Sequence, residues 1–319
     1  MLLNIGLIIL GFLCLIKGGD FLVDGATAIA RKAKISEMVI GLTIVGFGTS
    51  APELLVSLQA ALEGSSGLAI GNVVGSNIAN IALILGVTAL IIPCPTDKKT
   101  IRIDAPFMVF SVLAFSAVAM TGTISRLAGI VGFLLLVSFV VWQVIESRKQ
   151  ESGNDGAVVT KVMPLRRAIL LLVIGGAMLV FGADTLIKGA SEIARIIGEK
   201  MGTPADEMER IIGLTIVAVG TSLPELFASV MAAIKGKTNM AIGNILGSVT
   251  FNILSVIGLS SAICPILNSN VGFMNDYIVM SALAIILWLF LRTRYLLERW
   301  EGALLFVSYC GYIAATLLN

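Results

Sequence analysis

The chain is a succession of long apolar runs separated by short polar breaks. A helix needs about 20 predominantly apolar residues to cross the hydrocarbon core of a bilayer. Such a helix satisfies its backbone polar groups within its own segment, as lipid requires. We therefore predict an all-α membrane protein with ten transmembrane helices. The predicted spans cover residues 3–30, 38–62, 67–92, 104–121, 125–146, 165–196, 209–234, 239–264, 274–292 and 300–318.

Composition excludes several classes of protein. Of the 319 residues, 57% are hydrophobic and 13% are charged, and there is no histidine. Soluble globular chains carry roughly 45–50% apolar and about 25% charged residues. We expect the lipid bilayer as the surrounding medium, with no soluble enzyme, no nucleic-acid partner, no imidazole site and no implied protein partner. The cysteines lack CxxC spacing and are expected to be small buried side chains at Cys14, Cys94, Cys264 and Cys310.

Lysine and arginine are divided unequally between alternate loops. The loops on one side hold 16 of these residues, and those on the other side hold four. Cytoplasmic loops carry the excess of Lys and Arg. The side with 16 is therefore predicted to face the cytoplasm, which places both termini outside a cell (inner or plasma) membrane. The N-terminus lacks the features of a signal peptide, so it is expected to belong to the first span.

The sequence contains an internal repeat. Residues 41–61 (GLTIVGFGTSAPELLVSLQAA) and residues 213–233 (GLTIVAVGTSLPELFASVMAA) are identical at 14 of 21 positions, at an offset of 172. The same offset relates residues 69–86 to residues 241–258. Similarity of this extent indicates a duplicated unit.

The duplication predicts three parts. Residues 1–146 form an N-terminal five-helix repeat, residues 147–163 a polar cytoplasmic linker, and residues 164–319 a C-terminal five-helix repeat. Because each unit has an odd number of spans, the second enters the membrane in the opposite direction. Inverted repeats are typical of secondary transporters, whose binding site lies near the midplane at the repeat interface. The pattern therefore favours an alternating-access carrier.

Each repeat carries a GTSxPE motif inside an apolar run. The prolines lack an amide hydrogen, so helices 2 and 7 are predicted to break there, and the preceding glycines ease unwinding. Broken backbone is tolerated in a membrane where it lines a cavity. Carbonyls, hydroxyls and carboxylates together form an all-oxygen site suited to Ca²⁺ or Na⁺. The two copies comprise Gly48, Thr49, Ser50, Pro52 and Glu53, and Gly220, Thr221, Ser222, Pro224 and Glu225.

Glu53 and Glu225 are the only acidic residues in the second, third, seventh and eighth predicted spans, apart from Glu209 at one entrance. A carboxylate inside a membrane is expensive and marks an ion pathway by default. A glutamate that is protonated or paired with a basic residue is the structural alternative, but the cores of these four spans contain no Lys or Arg, and the symmetric duplication argues against an incidental charge. We therefore predict that both glutamates bind the transported cation.

A second motif, GNxxGSxxxN, follows each GTSxPE motif. Its glycines form small-xxx-small pairs that let helices approach closely. Ser76 with Asn80, and Ser248 with Asn252, are one helical turn apart and are predicted to add neutral oxygens to the site. Asn72 and Asn244 share that face and have interhelical hydrogen bonding as their alternative role.

Two further acidic residues occupy equivalent positions in the first and sixth spans. Asp20 lies three residues after Lys17, and Asp184 lies four residues before Lys188. Residues at these spacings share a helix face. Each pair is therefore expected to neutralise itself within its own helix.

The paired GTSxPE and GNxxGS motifs resemble the two alpha repeats of the sodium/calcium exchanger family, in the cation/calcium antiporter superfamily, and its ten-helix prokaryotic members above all. The resemblance covers essentially the whole chain and implies exchange of Na⁺ for Ca²⁺ with no cofactor. It also implies that the long first and sixth helices slide across the rest. The residues it implicates in ion binding are Glu53, Glu225, Thr49, Ser50, Thr221, Ser222, Ser76 and Ser248, with the carbonyls of Gly46 and Ala218.

The coupling ion stays open at this level. Some family members carry Asp where this chain has Asn252, so both repeats here present Asn. H⁺/Ca²⁺ exchange and K⁺-dependent Na⁺/Ca²⁺ exchange are the alternatives, although proton-coupled relatives tend to place Glu where Gly75 and Gly247 stand. A cation channel is the alternative from another class. The sequence contains no nucleophile–base pair and no phosphate-binding loop, which disfavours a membrane enzyme.

Overall fold

The computed structural model describes residues 1–152, 163–202, 218–267 and 273–318, together with Met208, Ile212 and Ile216. These residues are almost entirely helical. The helices are α1 (Leu2–Ala33), α2 (Glu37–Thr49), α3 (Ala51–Leu62), α4 (Ser66–Ile91), α5 (Thr100–Ala119), α6 (Arg126–Ser152), α7 (Leu165–Met201), α8 (Ala218–Thr221), α9 (Leu223–Ile234), α10 (Thr238–Ile263), α11 (Met274–Arg292) and α12 (Arg299–Leu318). The strands are β1 (Cys94–Pro95), β2 (Thr123–Ile124), β3 (Ile266–Leu267) and β4 (Leu296–Leu297).

Seven of the described helices are long and apolar enough to cross a membrane, namely α1, α4, α5, α6, α7, α10 and α11. Helices α2 and α3 meet the same criterion together, as a pair bent by 48°. The chain is therefore a nearly all-helical, multi-pass membrane protein. The predicted seventh span lies partly outside the described residues, since residues 209–217 are described only at Ile212 and Ile216.

Helix α6 extends six residues into the predicted linker. Arg148, Lys149 and Gln150 are good helix formers, so their polarity does not end the helix. The buried hydroxyl of Ser147 accepts a hydrogen bond from the amide of Ser36 at 2.7 Å, which fixes this end of α6 to the turn before α2. The rest of the predicted linker, as far as residue 162, lies outside the described residues.

The two longest helices, α1 and α7, pack against each other in antiparallel orientation. Glycines seven residues apart meet along the contact, with Gly11 opposite Gly182 and Gly18 opposite Gly175. A Cβ atom added at Gly18 would lie 2.9 Å from the carbonyl oxygen of Gly175. Small residues allow backbones to approach this closely in lipid. The pair is therefore in backbone-to-backbone contact along its length.

Helix α10 lies at the centre of the protein. Every residue from Met240 to Phe251 is buried, including the polar side chains of Asn244, Ser248 and Thr250. It contacts α2 through backbone atoms, because a Cβ atom at Gly247 would lie 2.3 Å from the carbonyl oxygen of Leu42. This close approach brings the end of α2 against the middle of α10.

The helices are interrupted at two equivalent serines. Ser50 (φ −87°, ψ 5°) separates α2 from α3, and Ser222 (φ −92°, ψ 3°) separates α8 from α9. A proline follows in the first turn of α3 and of α9, and its missing N–H leaves the carbonyl four residues earlier without its helical donor. Wide π-helical turns occur at Ala79–Ile84 in α4 and at Asn252–Ile257 in α10. Such turns are frequent at functional sites.

Short antiparallel strand pairs join the loops at the ends of the helices. Strand β1 pairs with β4, and β2 pairs with β3. The pairs lie at opposite ends of α5, because β1 precedes this helix and β2 follows it. Strands β1 and β3 are themselves related by the offset of 172.

Candidate cation-binding site

Glu53 and Glu225 are both buried inside the helical bundle, with 2% and 0% of their surface exposed. Each lies in the first turn of the helix that follows a proline break. Unpaired amides at a helix N-terminus favour a carboxylate there. The hydroxyl of Ser50 donates to Oε1 of Glu225 at 3.2 Å, so the two GTSxPE motifs meet across 175 residues of sequence. The breaks therefore place two carboxylates in one interior site.

Several buried polar atoms at this site have no hydrogen-bond partner among the described residues. A buried polar atom without a partner costs about 1–3 kcal/mol, and more when it is charged. Most of these atoms are oxygens, and a bound hard cation would satisfy them. They are Oε1 and Oε2 of Glu53, Oε2 of Glu225, Oγ of Ser222, Oδ1 of Asn252, and Oδ1 and Nδ2 of Asn80.

Thr49 connects the end of α2 to α10. Its hydroxyl lies 3.1 Å from the carbonyl oxygen of Val45 and 3.5 Å from the hydroxyl of Ser248. The amide oxygen of Asn244 is 3.4 Å away. Hydroxyl and carboxamide oxygens from both repeats therefore adjoin the two carboxylates.

For the other predicted ligands, the structure gives a position on a helix or a backbone hydrogen bond rather than a contact with either glutamate. Ser76 is buried on α4, one turn before Asn80. The carbonyl of Gly46 accepts hydrogen bonds from the amide of Ser50 at 3.1 Å and from Thr49, so an ion there would compete with them. Ala218 begins α8, and its side chain lies outside the described part of the structure, while Thr221 ends the same helix. Ion binding by these residues stays a prediction.

Asn72 and Asn244 form interhelical hydrogen bonds. Asn72 donates to the hydroxyl of Ser57 at 2.8 Å, and Asn244 donates to that of Ser229 at 2.9 Å. Both serines are fully buried. These bonds fix the GNxxGS helices against α3 and α9. The serines were missed by sequence reasoning, although their identity at the offset of 172 was a usable signal.

Asn77 is a further polar residue that the repeat does not indicate, because Val249 stands at its equivalent position. Asn77 is fully buried, and its amide oxygen accepts a hydrogen bond from Nδ2 of Asn252 at 3.1 Å. That bond leaves Oδ1 of Asn252 without a described partner. The polar environment of the two site asparagines is therefore asymmetric.

The expected pairing of Asp20 with Lys17 is wrong, whereas Asp184 and Lys188 do form an ion pair at 2.7 Å. Asp20 instead lies 2.6 Å from the ammonium of Lys235, which also contacts Asp24 at 2.6 Å. The cause is the close approach of α9 to α1 at Gly19, where a Cβ atom would lie 2.9 Å from the side chain of Met231.

Lys235 keeps its charge despite being partly buried. Partial burial disfavours the ammonium, but hydrogen bonds and charges from Asp20 and Asp24 outweigh burial and raise the pKa of Lys235 above its ordinary value. The ammonium therefore links α1 to the end of α9.

The chain is similar to known membrane proteins over nearly its whole length. The model of the family described as sodium/calcium exchanger protein matches residues 3–145 and 167–318. The sodium/calcium exchanger MaX1 of Methanosarcina acetivorans is 34% identical over 97% of each chain. The inner membrane protein YrbG of Escherichia coli is 34% identical over 90% of this chain and 88% of that one.

Solved structures are similar over the same extent. The sodium-calcium exchanger NCX_Mj shares 30% sequence identity and superposes with a TM-score of 0.82, over 99% of each chain. Family match, relatives and structural neighbour all span nearly the whole molecule. The chain belongs to the sodium/calcium exchanger protein family, whose members are membrane transporters.

Proposed function

We propose that this protein exchanges Na⁺ for Ca²⁺ by alternating access through one shared site between the two proline breaks. One observation carries the proposal: Glu53 and Glu225 are buried together, and three of their four carboxylate oxygens have no hydrogen-bond partner among the described residues. Buried carboxylates left in this way are stable in their ionised form only beside a cation, and otherwise take up a proton. Family membership supports the choice of Ca²⁺ and Na⁺.

The proposed architecture is ten membrane crossings in two inverted five-helix repeats. Residues 1–146 and 164–319 form the repeats, residues 147–163 link them in the cytoplasm, and both termini are outside. The family model matches the chain as two separate segments, which supports a duplication. The interruptions at Ser50 and Ser222 have nearly the same dihedral angles at an offset of 172, which supports equivalent broken helices.

Charge explains why the two ions exclude each other at this site. Two ionised glutamates need two positive charges nearby, and either one Ca²⁺ or a set of Na⁺ ions supplies them. Both cargoes use the same carboxylate oxygens, so they compete. An empty site leaves two buried carboxylates repelling each other, which disfavours movement without a bound cation. Antiport follows from this competition.

Flux measurement in proteoliposomes tests the proposal. Uptake of ⁴⁵Ca²⁺ by the full chain is measured under an imposed Na⁺, K⁺ or H⁺ gradient, each applied separately. We expect the Na⁺ gradient alone to drive uptake. Uptake driven by the H⁺ gradient alone would assign a proton exchanger, a requirement for K⁺ would assign K⁺-dependent exchange, and gradient-independent flux far above carrier rates would indicate a channel.

Glu53→Gln and Glu225→Gln are each expected to abolish Na⁺-driven uptake, because the amide keeps the shape but removes the charge. Glu63→Gln is the matched control, since Glu63 is exposed and accepts a hydrogen bond only from nearby Gln59 among the described residues. Ordinary uptake by either site variant would exclude the assigned site.

A further inference from the structure

A cavity of about 350 Å³ lies between the start of α5 and the end of α11, away from the cation site. Three cationic side chains and two aromatic side chains line it. They are Lys98, Arg102 and Arg292, with Trp288 and Tyr295. The positions at helix ends place the cavity where the apolar spans give way to loops.

The walls of this cavity are fixed by backbone contacts. Strands β1 and β4 pair directly beside it, and the amide of Thr96 donates to the carbonyl of Tyr295 at 2.9 Å. The indole N–H of Trp288 donates to the carbonyl of Ile101 at 2.9 Å, which connects α11 to α5. The cavity is therefore built into the fold at this end of the bundle.

The positive charge in the cavity is not neutralised by the part of the chain that the structure describes. No carboxylate lines it, and Lys98, Arg102 and Arg292 form no ion pair with a described residue. The nearby acidic groups are engaged elsewhere. Asp97 accepts from the amide of Thr100, and Glu298 bonds Arg294 and Trp300.

A second cavity, of about 360 Å³ near Asp24 and Arg31, shows the contrast. Two of its cations, Lys235 and Lys237, are ion-paired with carboxylates of α1 and α2. Its charges are therefore largely satisfied within the protein. The cavity between α5 and α11 differs in having cations that lack such partners in the described structure.

We propose that this cavity binds the phosphate headgroup of an anionic phospholipid. Guanidinium groups bind phosphate oxygens through paired hydrogen bonds, and basic pockets at the end of a membrane span favour anionic headgroups. Trp and Tyr belong at the same interfacial depth. The acyl chains would extend along the apolar surfaces of α5 and α11, which a free phosphate does not need.

The internal repeat offers a comparison within the chain. Positions equivalent to Lys98, Arg102 and Arg292 carry Asn270, Met274 and Met120 at the offset of 172. The three cations are therefore not part of the duplicated scaffold. A bias in loop charge needs basic residues on one side of the membrane, but it does not require them to converge on one cavity.

Native mass spectrometry of the full chain tests the proposal. The protein is exchanged into detergent with equal amounts of phosphatidylglycerol and phosphatidylcholine, and the lipid that it retains is counted. We expect preferential retention of phosphatidylglycerol by the wild-type chain. In the double variant Arg102→Gln/Arg292→Gln, retention should fall about tenfold or more, since each charge-assisted bond to phosphate contributes at least that much.

Two further variants and a competition with inorganic phosphate test whether the lipid is bound in this cavity. Arg148→Gln/Lys149→Gln removes two cations at the end of α6, outside the cavity, and should retain the lipid as the wild type does. Arg102→Lys/Arg292→Lys should retain an intermediate amount, because Lys keeps the charge without the bidentate geometry. Equal retention of both lipids by the wild type would overturn the proposal, as would displacement of the lipid by inorganic phosphate at low concentration, which would assign the cavity to free phosphate.

Discussion

At the scale of single residues, the site is defined by polar groups that the protein leaves unsatisfied. Most buried polar atoms in folded proteins have hydrogen-bond partners. Among the described residues, the buried atoms without partners include those of Glu53, Glu225, Asn80 and Asn252, the side chains that the repeat places in equivalent positions, and others occur elsewhere in the bundle. Thr88 and Thr250, equally buried but away from this cluster, instead bond carbonyls of their own helices. The unsatisfied oxygens of the two glutamates and the two asparagines are the ones that we propose to line the ion path.

Asn77 is predicted to position Asn252. Asn77→Val copies the residue of the other repeat and removes the acceptor for Nδ2 of Asn252, so its amide can rotate and withdraw Oδ1 from the ions. Loss of a buried hydrogen bond costs about 0.5–1.5 kcal/mol. The half-saturating concentration of Ca²⁺ or Na⁺ in flux assays should therefore rise by roughly two- to tenfold.

Thr250→Val is the matched control for that change. Thr250 is also buried, on the same helix as Asn252, but its hydroxyl bonds only the carbonyl of Leu246 among the described residues, at 2.7 Å. The control should leave both half-saturating concentrations unchanged. Equal ion affinities in the Asn77→Val variant and the wild type would show that Asn252 needs no such support.

At the scale of helices, two features shape the molecule: interruptions of helices at the candidate site and close backbone contacts between helices. A proline follows each of the two helix interruptions at the candidate site, and the glycines bring α2 against α10 and α1 against α7. The α1–α7 pair contacts the rest of the molecule partly through Lys235, at the end of α9. The pair is therefore one tightly packed element with an electrostatic link to its neighbour.

Gly175→Ala tests the packing of α1 against α7. The added Cβ would lie 2.5 Å from the backbone nitrogen of Leu22, so the helices must separate. Overpacking of this kind costs about 1–3 kcal/mol. Thermal unfolding in detergent should show a lower midpoint than in the wild type.

Gly176→Ala is the control at the neighbouring position. A Cβ there would meet no atom within 4 Å, and alanine favours a helix over glycine by about 1 kcal/mol. Its midpoint should equal or exceed that of the wild type. If the two variants unfold at the same temperature, the close contact between α1 and α7 is not important for stability.

The link through Lys235 should depend on pH in one direction. Because the folded chain raises the pKa of Lys235 above its ordinary value of 10.5, the stabilisation is fully present below that value. It is lost as the pH rises through the higher pKa of the folded state. Solvent screens the partly exposed pair, so the contribution is no more than about 1 kcal/mol.

The difference in unfolding midpoint between the wild type and Lys235→Gln measures this link. It should stay constant from neutral pH to about pH 10 and shrink above that. Lys32→Gln, which removes an exposed lysine at the end of α1, is the control and should show a negligible difference throughout. A difference that grows with rising pH would contradict the assigned ion pair.

At the scale of the whole molecule, the sequence predicted those features that leave a repeat or a hydrophobic pattern along the chain, namely the apolar helices and the duplicated motifs. Duplicated motifs singled out Glu53 and Glu225, which are buried in the structure and whose role in ion binding stays a prediction, and a proline follows each helix interruption at Ser50 and Ser222. The partner of Asp20 was missed, because contact between α1 and α9 depends on packing at Gly19 that no local pattern shows. Asn77 was missed because the second repeat lacks it. Tertiary contacts between distant elements are therefore the part that sequence alone does not supply.

The proposed inverted arrangement makes a prediction that two equivalent residues can test. Thr121 and Thr293 are related by the offset of 172, both are exposed, and each hydroxyl bonds a carbonyl three residues earlier at 2.7 Å. In a chain whose four cysteines are replaced and whose flux is retained, Thr121→Cys and Thr293→Cys occupy equivalent exposed positions, although the hydroxyl of Thr293 also donates to Oε1 of Glu301 at 2.9 Å. The side of the membrane from which each cysteine reacts is therefore the result to compare, rather than the rate of reaction.

A membrane-impermeant maleimide applied to intact cells and to inverted vesicles distinguishes the sides. If each repeat crosses the membrane an odd number of times, Thr121→Cys reacts from outside and Thr293→Cys reacts from the cytoplasm, in agreement with the bias in loop charge. Reaction of both from one side would require an even number of crossings per repeat. The two halves would then be parallel, which would exclude the proposed inverted architecture, in which the glutamates are related by an axis in the membrane plane.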